Sequence, residues 1–168
     1  MTKISTCLVA LSLGLLLASC GGSGNSNPTP SVSPRTQLLT TPKWRISGIS
    51  QALTFNGQTI TTNAYAGVSS CRKDDFGKFN VDKTVVTDEG ATKCSSSAPQ
   101  SKTGTWSFNT AETEITVVDP NPTPGSIGNA TAEILQMTAT NMQLRTTTTQ
   151  TQAGYPITVV LTTDYIAL

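Results

Sequence analysis

The chain has 168 residues, of which 36% are hydrophobic, 5% aromatic and only 12% charged. The charged share is about half the ~25% usual in globular domains, and polarity is carried instead by 30 Thr and 17 Ser. There is no histidine, and eleven basic residues face ten acidic ones; this excludes Ser-His-Asp and Cys-His nucleophile pairs, imidazole metal sites and the electrostatic footprint of a nucleic-acid binder.

Residues 1–19 have the anatomy of a secretory signal. Lys3 supplies a positive start, and the uncharged stretch Ile4 to Ala18 is too short for the ~20 residues of a membrane-spanning helix. It ends in Leu17-Ala18-Ser19-Cys20, which matches the bacterial lipobox: Leu at −3, small residues at −2 and −1, and the cysteine whose thiol accepts a diacylglycerol thioether. The mature chain is therefore expected to begin at Cys20 and to hold to a membrane through that lipid, since more than one acyl chain gives lasting attachment. Gly21 in place of Asp points to the outer membrane in the enterobacterial sorting scheme. Residues 20–37 are rich in Gly, Ser, Asn and Pro and lack hydrophobic periodicity, so they read as a flexible tether.

Four cysteines have three fates. Cys7 leaves with the signal, Cys20 is consumed by lipid, and Cys71 and Cys94 remain in an oxidising compartment, where a disulfide is the default.

Residues 38–168 read as one all-β domain. Thr is β-branched and suits pleated surfaces, and short alternating runs recur between turn signals. Trp44, Ile46 and Gly48 share one strand face; Leu53 and Phe55 precede the tight-turn dipeptide Asn56-Gly57. Residues 61–75 lack strand alternation and suit one short helical turn ending at Cys71. Phe76 to Val81 and Thr84 to Asp88 form a predicted hairpin across Asp82-Lys83. Gly104, Trp106 and Phe108 alternate, and a turn over Asn109–Glu112 returns the chain into Ile115–Val118. Both hairpins repeat one device, with an aromatic strand end, Asn opening the turn and Thr starting the next strand. A connection over 119–128 carries three prolines, Ile134 to Thr138 pairs with Met142 to Thr149, and Tyr155 to Ile166 closes the domain. About eight sequential strands predict a single antiparallel up-and-down β-barrel.

The ordering of Trp44, Cys71-Arg72-Lys73-Asp74-Asp75, Phe79-Asn80, Asp88 to Cys94, Gly104-Thr105-Trp106, Ile134 to Thr138 and Met142-Gln143-Leu144 resembles the bacterial lipocalin-like domain lipoproteins. The resemblance covers about residues 40–168 and implies a calycin-like barrel behind a lipobox signal. It implies no activity.

Candidate chemistry is sparse. Asp74-Asp75 beside Cys71 suits calcium ligation or, more simply, a solvated capping turn. Glu112 and Glu114, two residues apart, suit a carboxylate pair or an exposed turn. Thr146 to Thr149, with Gln150, Thr151 and Gln152, form a flat polar ladder suited to an ordered surface such as ice or a glycan, or to plain solvent exposure. Trp44, Trp106, Met142 and Leu144 are the candidate ligand contacts, since an eight-stranded barrel is filled by side chains or holds one small ligand. The expected protein is a monomeric, non-catalytic, outer-membrane lipoprotein without cofactor or metal, binding a small apolar or amphipathic molecule. The alternative is an interaction module for an envelope protein or glycan.

Overall fold

The computed structural model describes residues 32–119 and 129–168. The expected signal peptide, the expected lipid-attachment residue Cys20, residues 21–31 of the expected tether and most of the proline-rich connection lie outside these residues.

A short helix comes first. Helix α1 spans Pro34–Thr40, with Pro34 in the first turn and the Ser33 Oγ accepting from the Thr36 amide at 3.0 Å. Seven residues are too few to be stable alone, and tertiary contacts hold the turns in place. Leu39 is fully buried, the Trp44 indole donates to the Leu39 carbonyl at 2.8 Å, and Lys78 donates to the Thr40 and Thr41 carbonyls. The tether expected over 20–37 thus gives way to folded structure before its predicted end, because Leu39 and Trp44 supply burial that local composition does not reveal.

Among the described residues nine strands follow: β1 Trp44–Phe55, β2 Gln58–Asn63, β3 Phe76–Phe79, β4 Thr84–Asp88, β5 Ser101–Phe108, β6 Glu114–Val118, β7 Ala130–Met137, β8 Asn141–Gln152 and β9 Tyr155–Ala167. Strands β3 to β9 pair antiparallel in chain order. β9 then pairs with β1 from Trp44↔Ala167 to Phe55↔Ile157, and β1 pairs with β3 through Trp44↔Gly77 and Arg45↔Phe76. These pairings close an eight-stranded barrel, as the alternation predicts. β2 is an addition to that plan: it folds back on the far half of β1 and takes the edge that β3 leaves free. Residues 64–72 hold two 3-10 turns, Ala64–Gly67 and Ser70–Arg72, where one turn is expected.

The repeated Asn device is real. The Asn80 side-chain amide donates to Thr84 Oγ1, and that of Asn109 donates to Thr113 Oγ1, each at 3.0 Å. Each turn closes with a residue at positive φ, Lys83 at 71° and Glu112 at 53°. The turn of the first hairpin is longer than expected, because β3 ends at Phe79 and leaves Val81 exposed in the turn.

The two ends of the barrel differ. At one end lie α1, the three turns at 80–83, 109–112 and 138–141, and the chain terminus. Here Trp44, Phe79, Trp106, Ile115, Met142 and Leu144 are buried, with Phe79 and Phe108 each edge-to-face with Trp106. Ser33 donates to the Glu112 carboxylate at 2.6 Å and Arg35 donates to the Glu112 carbonyl, which fastens the helix over this end. At the other end the Cys71–Cys94 disulfide joins the second 3-10 turn to the β4–β5 loop.

β1, β8 and β9 run 12 to 13 residues while the other barrel strands run 4 to 8. Their excess length carries them past the open end, where with β2 they form a four-stranded sheet in the order β2-β1-β9-β8. It ends in two two-residue turns, Asn56-Gly57 and Ala153-Gly154, all four at positive φ.

Candidate functional site

Two features of the open end are candidates: the cavity inside the barrel and the sheet that projects beyond it. The cavity measures about 110 Å³. Its inner wall is apolar, with Trp44, Ile46, Ile49, Phe76 and Tyr165. The volume is below the ~300–1,000 Å³ of drug-sized ligand pockets, so it suits a molecule of few heavy atoms.

Gly104, on the cavity wall, marks a close approach. A Cβ there would lie 2.4 Å from the Val118 carbonyl oxygen. Only a residue without a side chain lets β5 run this close to the end of β6.

The mouth is acidic. Register places Phe76 opposite Asp88 across β3 and β4, so Asp75 and Glu89, the next residues outward, both reach the cavity rim along with Asp88. Asp88 accepts from the Gly90 amide at 2.9 Å and from Gln100 at 2.8 Å, and Asp74 accepts from the Thr92 amide at 2.8 Å. One oxygen each of Asp74, Asp75 and Glu89 is buried without a hydrogen-bond partner. Burial, reinforced by the negative charges of Glu89 and Asp74, pushes the Asp75 carboxyl up to about 6. Among the described residues no three His, Cys, Asp or Glu side chains are grouped to hold a metal ion.

The residues singled out from sequence separate on this geometry. Trp44 lines the cavity. Trp106 and Leu144 are packed in the closed half of the core, with the Trp106 indole donating to the Asn80 carbonyl at 3.0 Å. Met142 is buried there too, beside a polar depression with Gln143, Asn141 and Asp164. Glu112 and Glu114 serve the closed end, Glu112 holding Ser33 and Glu114 accepting from Asn109 at 3.1 Å. Cys71 and Cys94 are bridged as expected. The acidic rim was visible in the sequence only as two separate pairs, Asp74-Asp75 and Asp88-Glu89; the hairpin register and the disulfide bring them together.

The projecting sheet is two-faced. Residues of the barrel interior continue outward along alternate positions, so that one face carries the cross-strand rows Ile60-Leu53-Val159-Thr148 and Gln58-Phe55-Ile157-Gln150. Tyr155 joins this face by an edge contact with Phe55, ring centroids 5.9 Å apart. The opposite face carries Thr59-Thr54-Thr158-Thr149 and Thr61-Ala52-Val160-Thr147. Thr54 and Thr59 share a hydroxyl hydrogen bond at 2.8 Å, and Thr149 and Thr158 share one at 3.3 Å. The predicted ladder over Thr146 to Thr149 is thus divided between two faces, and the hydroxyl surface draws on all four strands.

The chain matches no protein-family model and no curated protein.

Proposed function

We propose that this is a lipid-anchored protein of the cell envelope whose barrel holds one small amphipathic molecule. The lipobox ending at Cys20 supports the anchor, and the order of motifs along the barrel supports kinship with the lipocalin-like lipoproteins. In this reading the apolar part of the ligand lies against Trp44, Ile46, Ile49 and Phe76. A hydrogen-bond-donating or cationic group faces Asp75 and Glu89. The single observation that carries the proposal is an apolar cavity opening onto buried carboxylate oxygens that lack partners. Binding is the whole function, with no catalytic step.

Native mass spectrometry of a secreted Cys20→Ala chain tests it. The expected result is a non-covalent adduct of small mass, lost on denaturation and reduced by Asp75→Asn. A bare mass across conditions, from chain that still carries its disulfide, overturns the ligand reading. The lipid reading has its own test: Cys20→Ala is expected to release the protein from membranes.

A further inference from the structure

The projecting sheet leaves β2 as an edge strand with all six of its residues exposed. Edge strands of native proteins are normally guarded by charge, proline or a bulge, because open backbone groups recruit other strands. β2 has none of these. No charged residue occurs between Ile46 and Cys71 or between Thr146 and Thr163, so the whole projecting sheet is uncharged. Ile60, at its edge, is 65% exposed.

The backbone of β2 is oriented for an incoming strand. The two-residue turn makes Phe55–Gln58, and therefore Leu53–Ile60, hydrogen-bonded pairs with β1. Thr59 and Thr61 consequently turn their N–H and C=O groups outward. The strand is also nearly symmetrical about Ile60, with Thr59 and Thr61 flanking it. An antiparallel copy centred there would set Ile60 against Ile60 on the apolar face. Each Thr59 would then meet the partner's Thr61, with four backbone hydrogen bonds between the strands.

We infer that β2 is a self-association strand, and that two copies of this chain pair β2 to β2 about Ile60 to merge their projecting sheets. The isologous contact brings no charge against itself. The free edge of β8 over Thr146–Gln152 offers no comparable site, because it carries only Thr and Gln and would bury no apolar side chain. Six residues a side, against the ~20–30 of a standard interface, define a weak, concentration-dependent dimer. This proposal departs from the monomer expected from sequence, and it does not depend on the ligand reading.

Cysteine trapping in membranes from cells making the full chain tests the register. Ile60→Cys is expected to give a reducible dimer of twice the monomer mass under mild oxidation, beyond any dimer of the parent chain. Thr59→Cys is expected to give none, since Thr59 faces Thr61 of the partner and not its own counterpart. In sedimentation of the secreted Cys20→Ala chain, Ile60→Lys is expected to weaken dimerisation by at least about tenfold, by opposing two like charges. Equal trapping at both positions, no trapping at Ile60, or an adduct of any other mass overturns the proposal. The last outcome would assign the edge to a different protein.

Discussion

The closed end of the barrel and the sheet projecting from its open end are made of the same strands under opposite rules. In the closed half, β1, β8 and β9 contribute Trp44, Met142, Leu144 and Tyr165, all buried, against neighbours on every side. Further along the same strands, Leu53, Phe55 and Leu161 are more than a third exposed. Apart from a bulge between Ile46 and Gly48 on β1, the alternation of side chains continues from one region to the other, and what is missing is the opposing wall. Alternation fixes which side of a strand is apolar, whereas the lengths of the neighbouring strands fix whether that side is covered.

The largest effect is expected from truncating the closed core. Trp44→Ala removes a large buried ring and an indole hydrogen bond to Leu39, which carries α1. Its expected cost is about 3–5 kcal/mol, read from the urea midpoint. A cost below about 1 kcal/mol would mean that this end is as loosely built as the projecting sheet.

Removing the Cys71–Cys94 bridge comes next. With 23 residues of separation, the chain-entropy contribution is roughly 3 kcal/mol, so a double Cys→Ser variant should melt well below the parent. If Tm is unchanged, the open end draws nothing from the clamp.

Gly104→Ala tests the closeness of packing between β5 and β6 with one methyl. The added Cβ meets a backbone oxygen that cannot swing aside, and overpacking of this kind costs about 1–3 kcal/mol. Gly57 offers the contrast in the projecting sheet. Nothing lies within 4 Å of its added Cβ, so the only penalty there is its positive φ of 75°.

A smaller effect is expected at the acidic mouth. Asp75 ionises at about 6 in the fold against ~3.9 in an unfolded chain. The folded state therefore holds this proton more tightly, and the ionised carboxylate destabilises the fold. That penalty is complete above about pH 6, fades as pH falls, and is gone below about pH 4. The group is only partly buried at the mouth of the cavity, so solvent screening reduces the penalty to on the order of 1 kcal/mol. Asp75→Asn is expected to stabilise the protein by that amount at pH 7 and to leave it unchanged at pH 4. An equal gain at both pH values would place the effect in packing and not in charge.

Most of the barrel was legible because its strands carry contrast. Gly104, Trp106 and Phe108 alternate, and the Asn80 and Asn109 turns announce themselves by composition; Trp44 and Ile46 share a face as expected, but a bulge between Ile46 and Gly48 turns Gly48 to the other side. The disulfide followed from eliminating Cys7 and Cys20. What escaped was low in contrast or non-local. β2, with the sequence Gln-Thr-Ile-Thr-Thr-Asn, presents Thr to both faces and gives almost no period-two signal. Helix α1 is too short to show a stripe, and its burial comes from Trp44 beyond its own end. The cavity wall was legible only at Trp44; Trp106 and Leu144 have the same composition signal but face the packed half. Whether a buried tryptophan borders the cavity depends on strand register, and register is set by pairing between distant segments.

The smallest expected effect lies at the position where the two regions differ most. Ile60→Thr keeps a β-branched side chain at an exposed edge position with no opposing layer, so little transfer free energy is lost on substitution. The stability of the monomer at low concentration is expected to change by less than about 0.5 kcal/mol, as read from urea denaturation. The dimer is a different matter, since pairing β2 to β2 buries Ile60 against its own counterpart. The same variant is therefore expected to weaken association while leaving Tm at low concentration unmoved. A loss of more than about 1 kcal/mol in the isolated monomer would show that Ile60 already packs against its own chain. The projecting sheet would then be a second core, and the contrast with the closed end would fail at its sharpest point.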